Sequence, residues 1–568
     1  MGNRDIIKLL KLASSLMELH DENPFKIRQY QNAVFKLEKV TNSLAALSEE
    51  EIAGLEDLGK SMASKISSLI HTGTFPDLSL LLEKTPPGVI EILNIKGVGP
   101  KKVRILWKDL NILSPAELLV ACNENKVAAV KGFGAKTQET IKQSLLFMDQ
   151  QKGRFLYAEV EKLALELEKL VKASGFVADA SVSGEIRRKM EIVECIQIIA
   201  ASDSPIGLHE FLDQQSFLVK NLPESGPFVW RGAYESLGLK VEVKIYPPEV
   251  YGGKLYLHSA SREHLLQETE PGKNFYTLIS SKAFPSEEAI FDHLNLSFIE
   301  PECREGGEEL HLCREGQFPC LVSYSDLKGI LHNHTTYSDG ANTLEEMAVY
   351  CKDMGMEYVG ISDHSKTAFY ANGLKEDQII KQHQEIDALN KKLSPFKIFK
   401  GIESDILNDG SLDYDDAVLA SFDFIVASIH SNLNMSEDKA TQRLITAIEN
   451  PYTSILGHAT GRLLLRREGY PIDHKKVIDA CAANNVVIEI NANPRRLDMD
   501  WRWVKYAVSK GVWISINPDA HSTEGYHDMQ YGVHIGRKGC LPKDMTFNAL
   551  PLVEVSKFFE SKKKTVGV

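Results

Sequence analysis

Between residues 327 and 550, apolar stretches run again and again into side chains that bind metal ions. Gly-Ile-Leu leads into His332-Asn333-His334, with Asp339 five residues further on. Tyr-Val-Gly-Ile-Ser-Asp leads into His364, Ile-Phe-Lys-Gly-Ile into Glu403, and Phe-Ile-Val-Ala-Ser-Ile into His430. Ser-Ile-Leu-Gly precedes His458, and Trp-Ile-Ser-Ile-Asn-Pro precedes Asp519-Ala520-His521. Imidazole nitrogens mixed with carboxylate oxygens suit Mn, Zn or Fe, whereas Ca and Mg favour shells made almost wholly of oxygen. Nine such side chains exceed the needs of one ion and predict a cluster of two or three divalent transition-metal ions. Glu403, an acid amid histidines, is the natural bridge between them. Any one of these histidines alone reads well as a structural residue; their recurrence at about six strand ends is what argues for chemistry.

A second group of residues suits phosphate. Leu93-Asn-Ile-Lys-Gly97-Val-Gly99-Pro-Lys101-Lys102-Val103 fits a hairpin between two helices, whose glycines expose backbone N–H groups while the lysines add charge. Val130-Lys131-Gly132-Phe-Gly134-Ala-Lys136 repeats the theme, and Leu55-Glu-Asp-Leu-Gly59-Lys60 is a weaker copy. Such hairpins hold a nucleic-acid backbone without reading its bases.

The elements that must position these residues follow from periodicity. From Leu327 onward apolar strands alternate with helical stretches, as in an α/β unit with parallel strands. The strands are expected to end at Leu331, Ile361, Ile402, Ile429, Leu456, Ile490 and Ile516. Seven strands suggest a barrel close to the eight-stranded α/β type, and all strand C-termini of such a barrel open on one face. Ligands distant in sequence would meet there. The first 150 residues read as short helices with Gly turns, Ile6, Leu9, Leu10, Leu12 and Leu16 falling near helical spacing. Between Phe155 and Glu300 an amphipathic helix (Val160–Ala173) precedes β-rich runs at Val193–Ile199 and Lys240–Ile245, and Glu302–Gln317 reads as a linker.

At 568 residues the chain calls for three to five domains, given roughly 100–200 residues per domain. A net charge of −13 argues against a generally basic nucleic-acid coat but leaves room for a local basic face. Eight cysteines without a C-x-x-C pair give neither a disulfide framework nor a zinc ribbon. No apolar run of about 18 residues spans a membrane, and the N-terminus lacks an apolar signal segment and a myristoylation site, so a cytoplasmic location without membrane contact is expected.

The metal constellation resembles the polymerase and histidinol phosphatase (PHP) domain, whose pattern runs H-x-H, an acidic or His ligand, then H, E, H, H and a terminal D-x-H. Every position is filled over about Leu327 to Leu550. The resemblance implies a distorted seven-stranded α/β barrel with a trinuclear site. His332, His334, Glu403 and Asp519 would hold one ion, Glu403, His430 and His458 a second, and Asp339, His364 and His521 a third. It further implies phosphoester hydrolysis, with the ions acidifying water and neutralising phosphate charge. Glu403 and Arg462 are the expected catalytic side chains, Arg462 holding a substrate phosphate through its guanidinium fork. Arg495 and Arg496 are weaker candidates for that task, and His474, His527 and His534 are expected to be structural.

The hairpins, Asn23-Pro-Phe-Lys-Ile-Arg28-Gln-Tyr30 and Ser183-Gly184-Glu185-Ile-Arg187-Arg188 together resemble a family X DNA polymerase over about residues 1–315. Bacterial members of that family commonly carry a C-terminal PHP domain. The expected organisation is multidomain: a helical N-terminal DNA-binding domain (1–85), helix-hairpin-helix fingers (86–150), an α+β nucleotidyltransferase-like palm and thumb (151–315), and the PHP domain (327–568). Lys65 aligns with a lysine that forms a Schiff base with an abasic sugar in some members, although a neighbouring family lysine is Ser61 here. The palm breaks the family pattern. Its two metal-binding aspartates are replaced by Cys195 and Gln197, only Glu242 keeps an acid, and Glu185 stands where a serine contacts triphosphate.

These features predict a DNA-repair hydrolase in which the PHP centre acts on 3′ ends of gapped or recessed duplex, as a 3′–5′ exonuclease, a 3′-phosphatase or an abasic-site cleaving enzyme. Nucleotidyl transfer is expected to be absent. The competing readings are a small-molecule phosphatase of the histidinol phosphate type, a non-catalytic DNA-binding scaffold, and an active polymerase. No protein partner is indicated.

Overall fold

The computed structural model describes residues 2–37, 40, 43–55, 58–95 and 98–565. The chain divides into two compact units, residues 1–152 and 153–568.

The first unit is helical, from Asn3–Leu19 to Gly134–Gln150. Among the described residues five of its helices, Pro24–Leu37, Pro76–Lys84, Pro87–Leu93, Pro100–Lys108 and Pro115–Asn123, begin on proline. Proline at that position loses nothing, because the first N–H groups of a helix have no partner within it. Of the periodic apolar residues in the first helix, Ile6, Leu10 and Leu16 are fully buried, while Leu9 and Leu12 pack half-buried against that core.

The second unit opens with the helix Tyr157–Lys172 and a five-stranded mixed sheet. Its strands are β1 (Asp179–Ser183), β2 (Cys195–Ala201), β3 (Leu218–Lys220), β4 (Val229–Tyr234) and β5 (Lys240–Tyr246). They lie in the order β1-β2-β5-β4-β3, with β2 and β5 parallel. The segment Glu302–Gln317 is not a linker. Glu302, Cys303, Arg304, Glu309, Leu310 and Cys313 are all buried, and 309–314 is helical. Low periodicity there reflects buried charges rather than exposure. The Arg304 guanidinium pairs with Glu287 and lies over the Tyr256 ring, 4.3 Å from its centroid. Glu309 is 2.6 Å from His264, and Glu305 receives both Arg188 (3.0 Å) and Lys538.

Seven parallel strands follow in sequence order: β6 (Gly329–Ile330), β7 (Tyr358–Ile361), β8 (Lys397–Asp405), β9 (Phe424–Ser428), β10 (Ile455–Leu456), β11 (Val487–Asn491) and β12 (Ile514–Asn517). Successive side chains of a strand face opposite ways. One set (Ile330, Val359, Ile398, Ile425, Ile488, Ile514) packs against the surrounding helices. The other set (Tyr358, Phe399, Phe424, Val426, Ile455, Val487) fills one end of the barrel, where Phe559 of the helix Leu552–Thr565 stacks on Phe424 at 5.1 Å. Strands buried on both faces explain the nearly continuous apolar runs in the sequence.

The seam between β6 and β12 is closed by side-chain amides. Asn548 donates to the carbonyls of Gly329 (2.9 Å) and Ile516 (2.6 Å) and accepts from Ile516 N–H (2.9 Å). Asn517 accepts from Leu331 N–H at 2.9 Å. Asn548→Ala should therefore leave buried backbone groups unpaired and destabilise the second unit by about 2–4 kcal/mol. Urea titration of the full chain followed by circular dichroism reads this; a midpoint equal to wild type would show that the seam does not depend on the amide.

Candidate metal centre

The inward-facing residues at the open ends of the strands are polar, by the same alternation that makes the closed end apolar. Glu403 and Asp405 face inward from β8, and Glu489 and Asn491 from β11, each pair two residues apart. Beyond the strand ends, loops pair through their backbones. Asp519 N–H donates to His332 C=O (3.1 Å), and His334 N–H to Ala520 C=O (2.8 Å), so the H-x-H and D-x-H elements are zipped together. His364 and Glu403 form a parallel bridge in the same way.

All nine expected ligands are brought to one place. Glu403 lies within 3.6 Å of ring nitrogens of five histidines: His332 (3.2 Å), His334 (3.6 Å), His364 (2.9 Å), His430 (3.2 Å) and His458 (3.1 Å). Asp519 is 3.0 Å from His334 and 3.5 Å from His332, and Asp339 is 3.4 Å from His521 and 3.7 Å from His364. His332, His334 and Glu403 are buried, whereas Asp339 and His521 are a third or more exposed and mark the mouth. Three sets could each hold an ion: His332, His334 and Asp519; His334, Asp339, His364 and His521; and His364, Glu403 and His430. His334 and His364 are thus shared between sets, where the family partition assigns each to one ion.

The donors fit divalent ions on the structure's own terms. His332 Nε2, His334 Nδ1, His364 Nδ1, His458 Nδ1 and Glu403 Oε2 are buried without a hydrogen-bond partner, and buried polar atoms are rarely left so. Electrostatics point the same way. Burial alone would raise the Glu403 carboxyl, but His430, His332 and His364 outweigh it and hold it well below the usual carboxylate range. Burial opposes charge on His430, yet Glu403 and Asp405 lift it to about 10. Burial, reinforced by His521 and His364, pushes His334 down to about 3. Metal ions bound here would take the place of the protons that charge the imidazoles around these carboxylates.

The sequence reading passed over the residues that orient the ligands. Glu489 is fully buried, 2.7 Å from His332 Nδ1, and accepts from His458 N–H. Asp405 bonds His430 Nδ1. Asp363 accepts from Thr335 N–H and Oγ, Ser338 Oγ and Gln382 Nε2, fixing the turns on which His334 and His364 sit. The available signal was a lone acid inside an apolar strand (Val-Val-Ile-Glu489-Ile) and a second acid two residues after Glu403.

Arg462 requires correction as a phosphate ligand. Its guanidinium is engaged by Arg496 C=O (2.8 Å), Leu497 C=O, Asp500 (2.8 Å) and Glu191 (3.5 Å), which leaves no fork for a substrate. Arg496 stands nearer, with Nε 3.5 Å from Asp519, while Arg495 reaches Glu159 at 3.7 Å. His474 stacks on Trp503, His527 bonds Tyr350, and His534 sits edge-on to Tyr157.

In the mixed sheet, Gln197 and Glu242 are register partners, and Gln197 Nε2 donates to Glu242 at 3.3 Å. Arg231 (2.6 Å) and Lys244 (2.7 Å) neutralise that carboxylate. Burial pushes the Cys195 thiol up to about 12. Glu185 folds back to accept from Glu194 N–H at 2.8 Å. Arg187 pairs with Glu287, and Arg188 with Glu305.

Gly59, Lys60, Gly99, Lys101, Gly132, Gly134 and Lys136 are exposed and Lys102 half-buried; Gly97 lies outside the described residues. Gly59, Gly132 and Gly134 adopt φ of 79°, 96° and 70°, a region that favours glycine. Lys65 sits over the Tyr30 ring and pairs with Asp77 at 3.5 Å.

Comparisons with known proteins divide along the same lines. Residues 1–75 match a helix-hairpin-helix domain, residues 89–145 a SAM-like helix-hairpin-helix tandem, and residues 331–493 the PHP domain. A probable phosphatase of Thermoanaerobacter sp. is 26% identical over 42% of this chain and 96% of its own length, and one from Clostridium acetobutylicum 29% over 34% and 78%. The DNA polymerase/3′-5′ exonuclease PolX of Bacillus subtilis is 35% identical over 99% of this chain and 100% of its own length. With that full-length likeness, two helix-hairpin-helix matches and a PHP match over the metal-site barrel, the chain belongs to the PolX family, the bacterial family X polymerase-like proteins with a C-terminal PHP domain.

Proposed function

We propose that this protein is a metal-dependent DNA phosphoesterase that acts on 3′ ends as a 3′–5′ exonuclease, with 3′-phosphatase and abasic-site cleavage as further outlets of the same centre. The observation that carries this reading is the single carboxylate, Glu403, within 3.6 Å of five histidines at the open end of the barrel. The full-length likeness to a protein named for 3′-5′ exonuclease activity supports DNA rather than a metabolite as substrate.

In this reading the nine residues His332, His334, Asp339, His364, Glu403, His430, His458, Asp519 and His521 hold two or three ions of Mn, Zn or Fe. Once bound, such ions neutralise phosphate charge and acidify water. The chain's own residues do the rest. Glu489 and Asp405 each hold one ring nitrogen of a ligand histidine, His332 and His430, leaving the other nitrogen turned inward. Arg496 offers positive charge beside the ligands, and the half-open side at Asp339 and His521 admits the phosphodiester. The exposed hairpins around Gly59, Gly99, Gly132 and Gly134 grip duplex DNA by its backbone, with little sequence preference.

The mixed sheet acts as a DNA-holding frame without nucleotidyl transfer. Metal-assisted transfer needs hard carboxylates, and the one that remains, Glu242, is already neutralised by Arg231 and Lys244.

Given Mn and a 3′-recessed duplex, the wild type should shorten the recessed strand and His332→Ala/His334→Ala should not, with DNA affinity unchanged in a gel-shift assay; no shortening by the wild type, with DNA still bound, would return the scaffold reading. Adding dNTPs should produce no extension, and any templated product would mean that the frame is a working palm. A 3′-phosphorylated oligonucleotide should be turned over far faster than a small phosphate monoester; the reverse order would favour a small-molecule phosphatase, as the relatives matching the barrel are named. Glu489→Gln should weaken metal retention about 10–100-fold, read by metal analysis after competition with a chelator, and equal retention would show that His332 needs no orienting partner.

A further inference from the structure

The loop that follows His364 carries Phe369 and Tyr370, which are 85% and 61% exposed. Phe369 is the most exposed of the large hydrophobic side chains among the described residues. Holding two aromatic faces in water is unfavourable, and here it does not come from a slack loop. Thr367 N–H and Oγ donate to Asp413 (2.7 and 2.9 Å), Lys366 N–H donates to the Tyr414 hydroxyl (3.1 Å), and Leu374 N–H to His364 C=O (2.8 Å). Ala368 and Ala371 are buried on either side of the pair. A Cβ on Gly373 would meet Ser365 C=O at 1.8 Å, so the closing turn admits only glycine. The backbone is pinned and the two rings are held outward.

Their place is what gives them a use. The Tyr370 ring centroid is 6.4 Å from that of His364, and Phe369 stands edge-on to Tyr370 at 6.0 Å. The pair therefore stands beside the centre, next to one of its expected ligands. A phosphodiester held at the centre carries a nucleoside on each side, and an unpaired base has a flat apolar face of the kind an exposed aromatic ring accepts. A small aliphatic phosphate ester has no such face to offer. Stacking also tolerates any base, in keeping with hairpins that hold the backbone without reading sequence.

We propose that Phe369 and Tyr370 form a nucleobase-stacking subsite that receives the unpaired 3′-terminal base while its phosphate lies at the metal centre. The proposal rests on the DNA 3′-end reading above. Because the terminal base must leave its partner to stack, the subsite makes frayed, mismatched or single-stranded ends better substrates than fully paired ones.

The test uses the full chain and two oligonucleotides that differ only at the 3′-terminal sugar, one bearing a base and one a tetrahydrofuran abasic analogue. Wild type should show a KM about tenfold lower for the base-bearing end, as expected for the loss of one stacked base. Phe369→Ala/Tyr370→Ala should erase that difference while leaving kcat on the abasic-ended oligonucleotide unchanged, and Tyr370→Phe should keep it. In parallel, a 3′-terminal 2-aminopurine behind a hydrolysis-resistant phosphorothioate should be quenched on binding wild type and not the double alanine variant. Unchanged quenching and an unchanged KM ratio in that variant would overturn the subsite and leave the pair as a protein contact. Should wild type cleave no 3′ end, the 3′-end reading fails by itself, and the quenching experiment still decides whether the rings hold a base.

Discussion

A buried carboxylate ringed by five imidazoles is the constraint around which the second unit is organised. Glu403 is 1% exposed, far from the water that would solvate its charge. An isolated ion in that position would be strongly disfavoured, so it persists only among partners of opposite charge. Those imidazoles come from the loops beyond β6, β7, β9 and β10, and they meet around Glu403 of β8 only if every strand keeps its place in the ring. Asn517 and Asn548 matter for this reason. Among the described residues no strand ladder joins β6 to β12, and the amides hold the seam on which the H-x-H and D-x-H loops face each other.

A second set of buried charges ties the mixed sheet and the segment 301–315 to the barrel. Arg187 and Arg304 share Glu287, Arg188 and Lys538 share Glu305, and Arg462 reaches Glu191. Breaking such buried pairs by removing one partner is strongly destabilising, because the other charge is left without compensation. Arg187 and Arg188 thus act as structural struts. The charge of Glu242 is likewise taken up, by Arg231 and Lys244. Around Cys195, Gln197 and Glu242 this sheet presents a hydrogen-bonded and ion-paired surface.

The two ends of the barrel follow from a single rule. Alternate side chains enter the interior, so an apolar residue at one position and an acid two places later face the same way. Val487 joins the packed end beneath the C-terminal helix, while Glu489 and Asn491 line the centre. The packed end, with Phe399 and Phe424 both against Phe559, gives the polar end a fixed base.

Much of this was legible in residue order. The His, Asp and Glu side chains after apolar runs, the number of barrel strands and the glycine hairpins are local features, and local features survive in a linear reading. Tertiary structure decided what depends on several distant segments at once. Whether Arg462 is free or occupied turned on Asp500 and Glu191, residues that no spacing rule connects to it. Glu302–Gln317 read as a linker because its charges lack periodicity, and only the partners supplied from elsewhere in the chain made burying them favourable. Sharing of His334 and His364 between ion sets, likewise, is a matter of distances of 3–4 Å set by the loops that close the barrel. Residue order determines which groups are available; their pairing is settled by packing, because the energy of a buried charge depends on every neighbour it meets.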